Sequence, residues 1–298
     1  MLGVHLILAL AILLFQPPQQ HEKPVLPGSP GNQNPGSPRP ATPDPVTLAV
    51  GPNCEWISQN HSELLPVAQA CEAALQMRDS MPNFICDLKV KRTQVIPVLA
   101  GGSPTVVRRE DIVTAEVTYL NGQEQFGNVR INGKPTDDAN AIHTRNWTSG
   151  EFSPPALGVL ADRPIATFVF HDEKMFRHAP HLDFDFLVPQ PNKSWRWTFF
   201  GRVYSPAFHG SLSIDKHTGF VRNFTMMADH LPSDVPYSRI TTSTDYDSVA
   251  IAGLGVYQLP VRAVIDACER GAGGCNHNVK EFSSCHRFAA KSRLIIDP

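Results

Sequence analysis

Apolar and polar residues alternate with a period of two along most of this chain. From residue 84 to 91, Phe84, Cys86, Leu88 and Val90 are set against Ile85, Asp87, Lys89 and Lys91, the period of a half-buried strand. Strand-like runs follow at about 106–119, 124–131, 165–171, 181–188, 195–204, 210–214, 219–228, 238–247, 256–265, 278–284 and 288–296. Turn chemistry punctuates them. Asn121-Gly122 and Asn132-Gly133 are the pairs that two-residue hairpins need for positive φ, so 115–135 predicts a short antiparallel meander. "DKHTG" (215–219) predicts a hairpin with Gly219 in the left-handed region. Pro260 inside "YQLPVRAVI" predicts an edge strand or a bulge, because proline removes a ladder donor.

One stretch keeps a different period. Leu64, Ala68, Cys71 and Leu75 fall at three- and four-residue steps within 62–80, which predicts an amphipathic helix. Ser62 offers an N-cap, Pro66 is tolerable near the first turn, and Met81-Pro82-Asn83 ends the element. A short second helix is predicted over 154–161, "PPALGVLA". The fold class read from these patterns is mainly β (α+β), antiparallel, with an N-terminal helix and one or two further short helices.

The N-terminal region changes the picture of where the chain works. Residues 2–15 are an apolar run, shorter than the roughly 20 residues that span a bilayer. Residues 1–16 therefore read as a secretory signal or an uncleaved N-terminal anchor. Of the 27 prolines, 11 lie between Pro17 and Pro52; residues 17–53 read as a disordered or polyproline-like linker, too poor in large apolar groups to offset ordering entropy. The globular domain is predicted over 54–298. Its expected location is exported, periplasmic or extracellular. A net charge of −2 gives no electrostatic case for nucleic acid or an anionic membrane surface.

Export gives the six cysteines meaning, since disulfides persist in an oxidising compartment. They fall into two groups, Cys54, Cys71 and Cys86, then Cys268, Cys275 and Cys285. If all six pair, at least one bridge must join the groups across roughly 200 residues, worth about 5 kcal/mol in the chain-entropy model. Within "CNHNVKEFSSCH" (275–286), a Cys275–Cys285 bridge across a turn is favoured over a zinc site with His277 and His286.

Two runs are unusually aromatic. Phe184 and Phe186 share a strand face with Leu182, and Trp195, Trp197 and Phe199 share another. Each large ring buries about 150–250 Å², worth roughly 4–6 kcal/mol as an upper estimate. Such a row is covered by a helix, by another sheet or by a ligand, which makes these five residues the candidate cavity lining. His181, Asp183 and Asp185 project from the opposite strand face and form a weak metal candidate, although a solvated face needs the same residues. There is no HExxH, G-x-S-x-G, Walker loop or dinucleotide fingerprint, so no catalytic residue and no cofactor is expected.

The order of parts then becomes informative. "MPNFICDLKVKR" (81–92), "VTYLNGQEQFGNVRINGKPT" (117–136) and "GEFSPPALGVL" (150–160) come first. "FHGSLSIDKHTGFVRNF" (208–224), "TDYDSVAIAGLGVYQLPVRAVI" (244–265) and "VKEFSSCHRFAAKSRLIID" (279–297) follow. Over about residues 62–298 the chain resembles a group of exported bacterial proteins similar to the periplasmic lipoprotein-carrier superfamily, with LolA-like and LppX-like folds. The resemblance implies a strongly curved antiparallel half-barrel sheet with helices in its concave side. It implies a hollow that binds acyl chains, a lipid-like group or a lipid-modified protein, or that senses an envelope protein partner. The leading expectation is a non-enzymatic envelope protein binding an apolar ligand. A tethered protein-interaction module and a metal-dependent hydrolase built on His181, Asp183 and Asp185 are the alternatives.

Overall fold

The structure, a computed structural model, describes residues 50–288 apart from 101–102, 137–141, 143–147, 153–154, 162–165, 177–178, 200–201 and 272–273, and the side chains of 96–108 are likewise outside it. The signal or anchor, most of the linker and all but the first residue of the strand-like run at 288–296 lie outside the described residues.

The first strands are β1 (Phe84–Ala100), β2 (Ser103–Leu120), β3 (Gln123–Ile131) and β4 (Lys134–Pro135). After a helical passage come β5 (Thr167–Phe176), β6 (Ala179–Val188), β7 (Trp197–Phe199), β8 (Arg202–Tyr204), β9 (Phe208–Asp215) and β10 (Val221–Ala228). The chain closes with β11 (Tyr237–Ile251), β12 (Gly255–Glu269) and β13 (Cys275–Arg287). All but β7 and β8 form one antiparallel sheet in the order β4-β3-β2-β1-β13-β12-β11-β10-β9-β6-β5. Its edges, β4 and β5, do not pair with one another. The sheet is therefore a curved half-barrel and not a closed one.

Local chemistry builds this course. Asn121 and Gly122 have φ of 51° and 80°, and Asn132 and Gly133 have 49° and 79°, the two successive positive values that a tight hairpin twist requires. Gly219 has φ 67° in the predicted turn. Asp245 faces Arg262 while Tyr246 faces Pro260, so Val261 is the extra residue of a bulge that admits the proline inside the sheet. Further register shifts occur at Ile85/Asp87, Thr114/Glu116, Phe170/Asp172 and Val221/Asn223. Each adds local twist to what eleven strands already accumulate. Gly210 faces Phe186 across β6–β9; a Cβ there would lie 2.8 Å from the Phe186 ring and inside the Thr225 carbonyl oxygen's contact radius, so the ring lies over bare backbone.

The concave side is filled by α1 (Glu55–Ser58), a 3-10 turn (Ser62–Leu64), α2 (Leu65–Ser80) and α3 (Pro155–Leu160). Ser62 belongs to the 3-10 turn, and Leu64 caps α2 without a side-chain hydrogen bond. Pro66 lies in the first turn, where no intrahelical donor is lost. Leu64, Ala68 and Cys71 are buried, as their spacing predicted.

The interior divides in two. One apolar cluster joins α2 and α3 to Phe168, Phe184, Phe186, Phe208 and Phe224. The other gathers Phe84, Cys86, Leu88 and Val90 of β1 with Val113 and Val117 of β2 and with Phe152 and Phe282. Phe152 meets Phe84 at 5.2 Å and Phe282 at 4.9 Å, both edge-on.

Two expectations are corrected. The run at 195–204 is a separate two-stranded ribbon in which Trp197 faces Tyr204. Cys275 does not bridge Cys285, because both lie on the continuous strand β13, where ten residues span roughly 33 Å. Each instead meets the neighbouring strand: Cys268 pairs with Cys275 across β12–β13, Cys86 with Cys285 across β1–β13, and Cys54 with Cys71 between α1 and α2. No cysteine is free.

The three bridges enclose 199, 17 and 7 residues of sequence for Cys86–Cys285, Cys54–Cys71 and Cys268–Cys275. Replacing each pair by alanine is expected to destabilise by about 5, 3 and 2 kcal/mol in that order. Urea denaturation of the three variants checks this; a loss at Cys86/Cys285 no greater than at Cys268/Cys275 would contradict it.

Candidate functional site

The five aromatic residues singled out in the sequence meet in the first apolar cluster. Phe184 and Phe186 are buried on the concave face of β6, with Trp195 and Phe199 buried beside them and Trp197 packed at the margin. They form a ladder: Phe186 stacks on Phe224 at 5.3 Å, Phe208 meets Phe186 at 6.2 Å and Trp195 at 5.3 Å, and Trp195 meets Trp197 at 4.8 Å. Edge-to-face and offset contacts of this kind add about 0.5–1.5 kcal/mol each beyond area. Helix α2 lies over the same cluster.

His181, Asp183 and Asp185 do share the convex face of β6, but each is drawn to a different neighbour. His181 Nδ1 is 3.3 Å from the Ser213 hydroxyl, Lys174 donates to Asp183 at 2.9 Å, and His171 Nδ1 is 3.0 Å from Asp185. Burial lowers the His181 imidazole below its ordinary value. Among the described residues no group of three His, Cys, Asp or Glu side chains converges as a metal site would require.

The concave side holds a cavity of ≈ 20 Å³ between α2 and the sheet, room for a water molecule or little more. Its roof is Ala70, Ala73, Ala74 and Met77 of α2 with Ala156 of α3. Phe220, Val221, Tyr246 and Gln258 form the sheet side. The five candidate aromatic residues do not line it. The space exists because the buried face of α2 is Val67, Ala68, Ala70, Cys71, Ala73 and Ala74; side chains this short do not reach into a curved sheet. Tyr246 and Gln258 are both buried; Gln258 Nε2 has no hydrogen-bond partner, and the Thr244 hydroxyl acts on the Tyr246 phenol oxygen while the phenol O–H is left without an acceptor.

A buried charge cluster stands near this cavity. Glu124 of β3 accepts from the backbone amides of Gly150 and Phe152, both at 2.8 Å. Lys280 of β13, 1% exposed, donates to Glu151 at 2.7 Å and to the Thr148 carbonyl, and the Thr148 hydroxyl also binds Glu151. Segment 148–152 is thus pinned to two strands, which carries Phe152 into the second apolar cluster. Burial, followed by the neighbouring Glu151, pushes the Glu124 carboxyl from an ordinary 4.5 up to about 7, against the pull of the two amides and Lys280. Burial, Glu151 and Glu124 likewise push the Tyr246 phenol well up.

Sequence reasoning missed Glu124, Glu151, Tyr246, Gln258 and Lys280. On β13 the buried face is Asn276, Asn278, Lys280 and Phe282, a polar set that reads as solvated. Phe282 in phase with Lys280 was the available signal that this face points inward.

No family model and no curated protein matches the chain. Among solved structures it is similar to a LolA superfamily protein from Nitrosomonas europaea, at 7% identity over 74% of this chain and 95% of that one, with a TM-score of 0.30. It is also similar to a DUF1329 family protein from Desulfovibrio piger (10% identity, 76% and 95% covered, TM-score 0.35). An outer membrane lipoprotein-sorting protein domain from Vibrio parahaemolyticus gives 9% identity, 76% and 95% coverage and a TM-score of 0.33. Similarity at this level assigns neither ligand nor activity.

The charge cluster predicts a pH dependence. The folded value of Glu124 lies above its unfolded one, so its stabilising contribution is complete below about pH 4.5 and vanishes as pH rises through about 7. Glu124→Gln is expected to melt higher than the parent at about pH 8 and to flatten the parent's gain on acidification to about pH 5; thermal melts of both proteins with equal slopes would refute this. Lys280→Met, which leaves Glu151 buried without its cation, is expected to destabilise by about 3–5 kcal/mol at neutral pH, read from the same denaturation curves.

Proposed function

We propose that this chain is an exported, non-enzymatic envelope protein that binds a lipid-like or apolar ligand on the concave side of its half-barrel, beneath α2. The observation that carries this reading is the alanine-faced helix over an apolar cavity, with the aromatic ladder in the cluster below. The buried face of α2 is Val67, Ala68, Ala70, Cys71, Ala73 and Ala74, short side chains that hold the helix with less apolar burial than a leucine-faced helix would have. An acyl chain of about twelve methylenes inserted between the helix and the sheet buries apolar surface worth about 10 kcal/mol, against Phe184, Phe186 and, from the side, Trp195, Trp197 and Phe199. Paired cysteines throughout support an oxidising compartment. Among the described residues no helix is long and apolar enough to cross a membrane.

The free edge of β5 favours a second reading, a protein-interaction or sensor module that needs no small ligand. Val169, Phe170, Met175 and Phe176 are exposed along that edge, where an extended segment of an envelope protein would add a strand. Asp172, Glu173 and Lys174 interrupt the apolar residues, which blunts self-pairing.

Solvent extraction and mass spectrometry of the gently purified full chain test the first reading. Stoichiometric lipid is expected from the parent, and a several-fold reduction from Ala73→Leu, which fills the cavity while keeping a helix-forming residue. Lipid-free protein, together with crosslinks in the native envelope to one defined protein, would favour the second reading.

A further inference from the structure

Tyr246 and Gln258 are a deliberate-looking flaw in an apolar wall. Each is 7% exposed, and each leaves a donor without an acceptor: an amide NH₂, and a phenol O–H whose oxygen is approached only by the Thr244 hydroxyl. Unpaired buried polar groups cost stability that a phenylalanine and a leucine would not. The two are neighbours by register: Tyr246 faces Pro260 and Ser248 faces Gln258, so they share a face diagonally across β11 and β12, roughly 7–8 Å apart at Cα. Both belong to the wall of the cavity under α2.

The orientation of the Gln258 amide is fixed by its other end. Oε1 lies 3.4 Å from Arg222 Nη1 and 3.5 Å from the Ser248 hydroxyl. Guanidinium can only donate, so the oxygen faces Arg222 and the NH₂ is left as a donor. Tyr246 supplies a second donor. Two donors on one cavity wall, neither with an acceptor, are suited to a carbonyl oxygen.

The surrounding charge decides which carbonyl. Arg222 is held by Asp215 at 3.1 Å and by Asp247 at 3.4 Å. On the other side Lys280 is engaged by Glu151, with Glu124 beside it. Four carboxylates stand against two cations, and the upward push of Glu151 and Glu124 on the Tyr246 phenol has the sign of a negative potential. An ionised head group would be desolvated and repelled here, whereas a neutral acceptor would not.

We propose that the cavity under α2 receives the carbonyl of a neutral acyl ester or amide, bound by the Tyr246 hydroxyl and the Gln258 NH₂, and discriminates against the free fatty-acid anion of the same chain length. This rests on the apolar-ligand reading above. The hydrocarbon enters between α2 and the aromatic ladder, while the carbonyl stops at the two donors.

Three probes of one chain length test it on the full, disulfide-intact chain by competition against a fluorescent alkyl reporter: a fatty-acid methyl ester, the free fatty acid at pH 8, and the plain alkane. The ester is expected to bind at least about tenfold more tightly than the acid, one to two hydrogen bonds' worth of discrimination. Tyr246→Phe is expected to weaken the ester about tenfold, leave the alkane unchanged and raise the melting temperature of the empty protein, because a buried O–H without an acceptor is removed. Gln258→Glu keeps the contact to Arg222 and converts the donor to an acceptor; it is expected to weaken the ester as well, and its melting curve verifies that it folds. Equal binding of ester and acid to the parent, or ester binding that both variants retain, overturns the carbonyl assignment while alkane binding still supports an apolar ligand. Failure of all three probes and of the reporter overturns both.

Discussion

The ladder between β1 and β13 is the interaction on which the rest of the structure depends. It runs from Phe84 opposite Arg287 to Val95 opposite Cys275 and joins the first described strand to the last. Without it, β1 to β4 would be a separate meander with β1 as a bare edge, and the remaining strands of the sheet would present β13 as a long free edge. Closing so long a loop costs chain entropy that local hairpins do not. The Cys86–Cys285 bridge acts at this seam, beside the bulge where Ser284 takes φ 53°. It removes most of the entropy that would otherwise favour separation. Phe84, Cys86, Leu88 and Val90 turn into the second cluster from this strand, so the apolar core and the covalent seam reinforce one another.

The seam also brings Lys280 and Glu124 within reach of segment 148–152. A buried lysine paired with a buried glutamate, with the half-buried Glu124 beside them, is a costly way to hold a loop, since desolvation offsets most of the Coulombic gain. What it provides is position. Glu124 binds the Phe152 amide, and the Phe152 ring then meets Phe84, Tyr119 and Phe282. An apolar contact alone would admit several ring placements; two amide hydrogen bonds admit far fewer. The same segment leads into α3, whose Ala156 helps to roof the cavity. The charge cluster therefore anchors the segment that leads into the roof of the cavity.

Much of this was legible in the residues and some of it was not, for a physical reason in each case. Asn-Gly turns and two-residue alternation are local, so the meander at 115–135, the inward set of β1 and the bulge at Pro260 could be read directly. The cysteine connectivity depends on strand register, which the neighbours of β13 impose and its own sequence does not contain; Cys275 and Cys285 look adjacent until the strand is known to be continuous. The ribbon at 195–204 looks like one aromatic strand because apolar residues continue from Trp197 and Phe199 to Val203 and Tyr204. Tyr246 and Lys280 sit in alternating patterns whose polar members normally face water. Only the curvature of the assembled sheet turns those faces inward.

Stiffness is unevenly placed in this fold. The wall is held by eleven hydrogen-bonded strands and a bridge across its seam, and the third bridge, Cys268–Cys275, ties β12 to β13 within that same wall. The cover has its own bridge, Cys54–Cys71, but this one joins α1 to α2 and leaves both untied to the sheet. Toward the sheet, α2 offers mostly alanine methyls, a few kcal/mol of apolar burial against the tens that hold the wall. The plane between α2 and the concave face is filled by small side chains on the helix side, and that plane contains the cavity and the two donors.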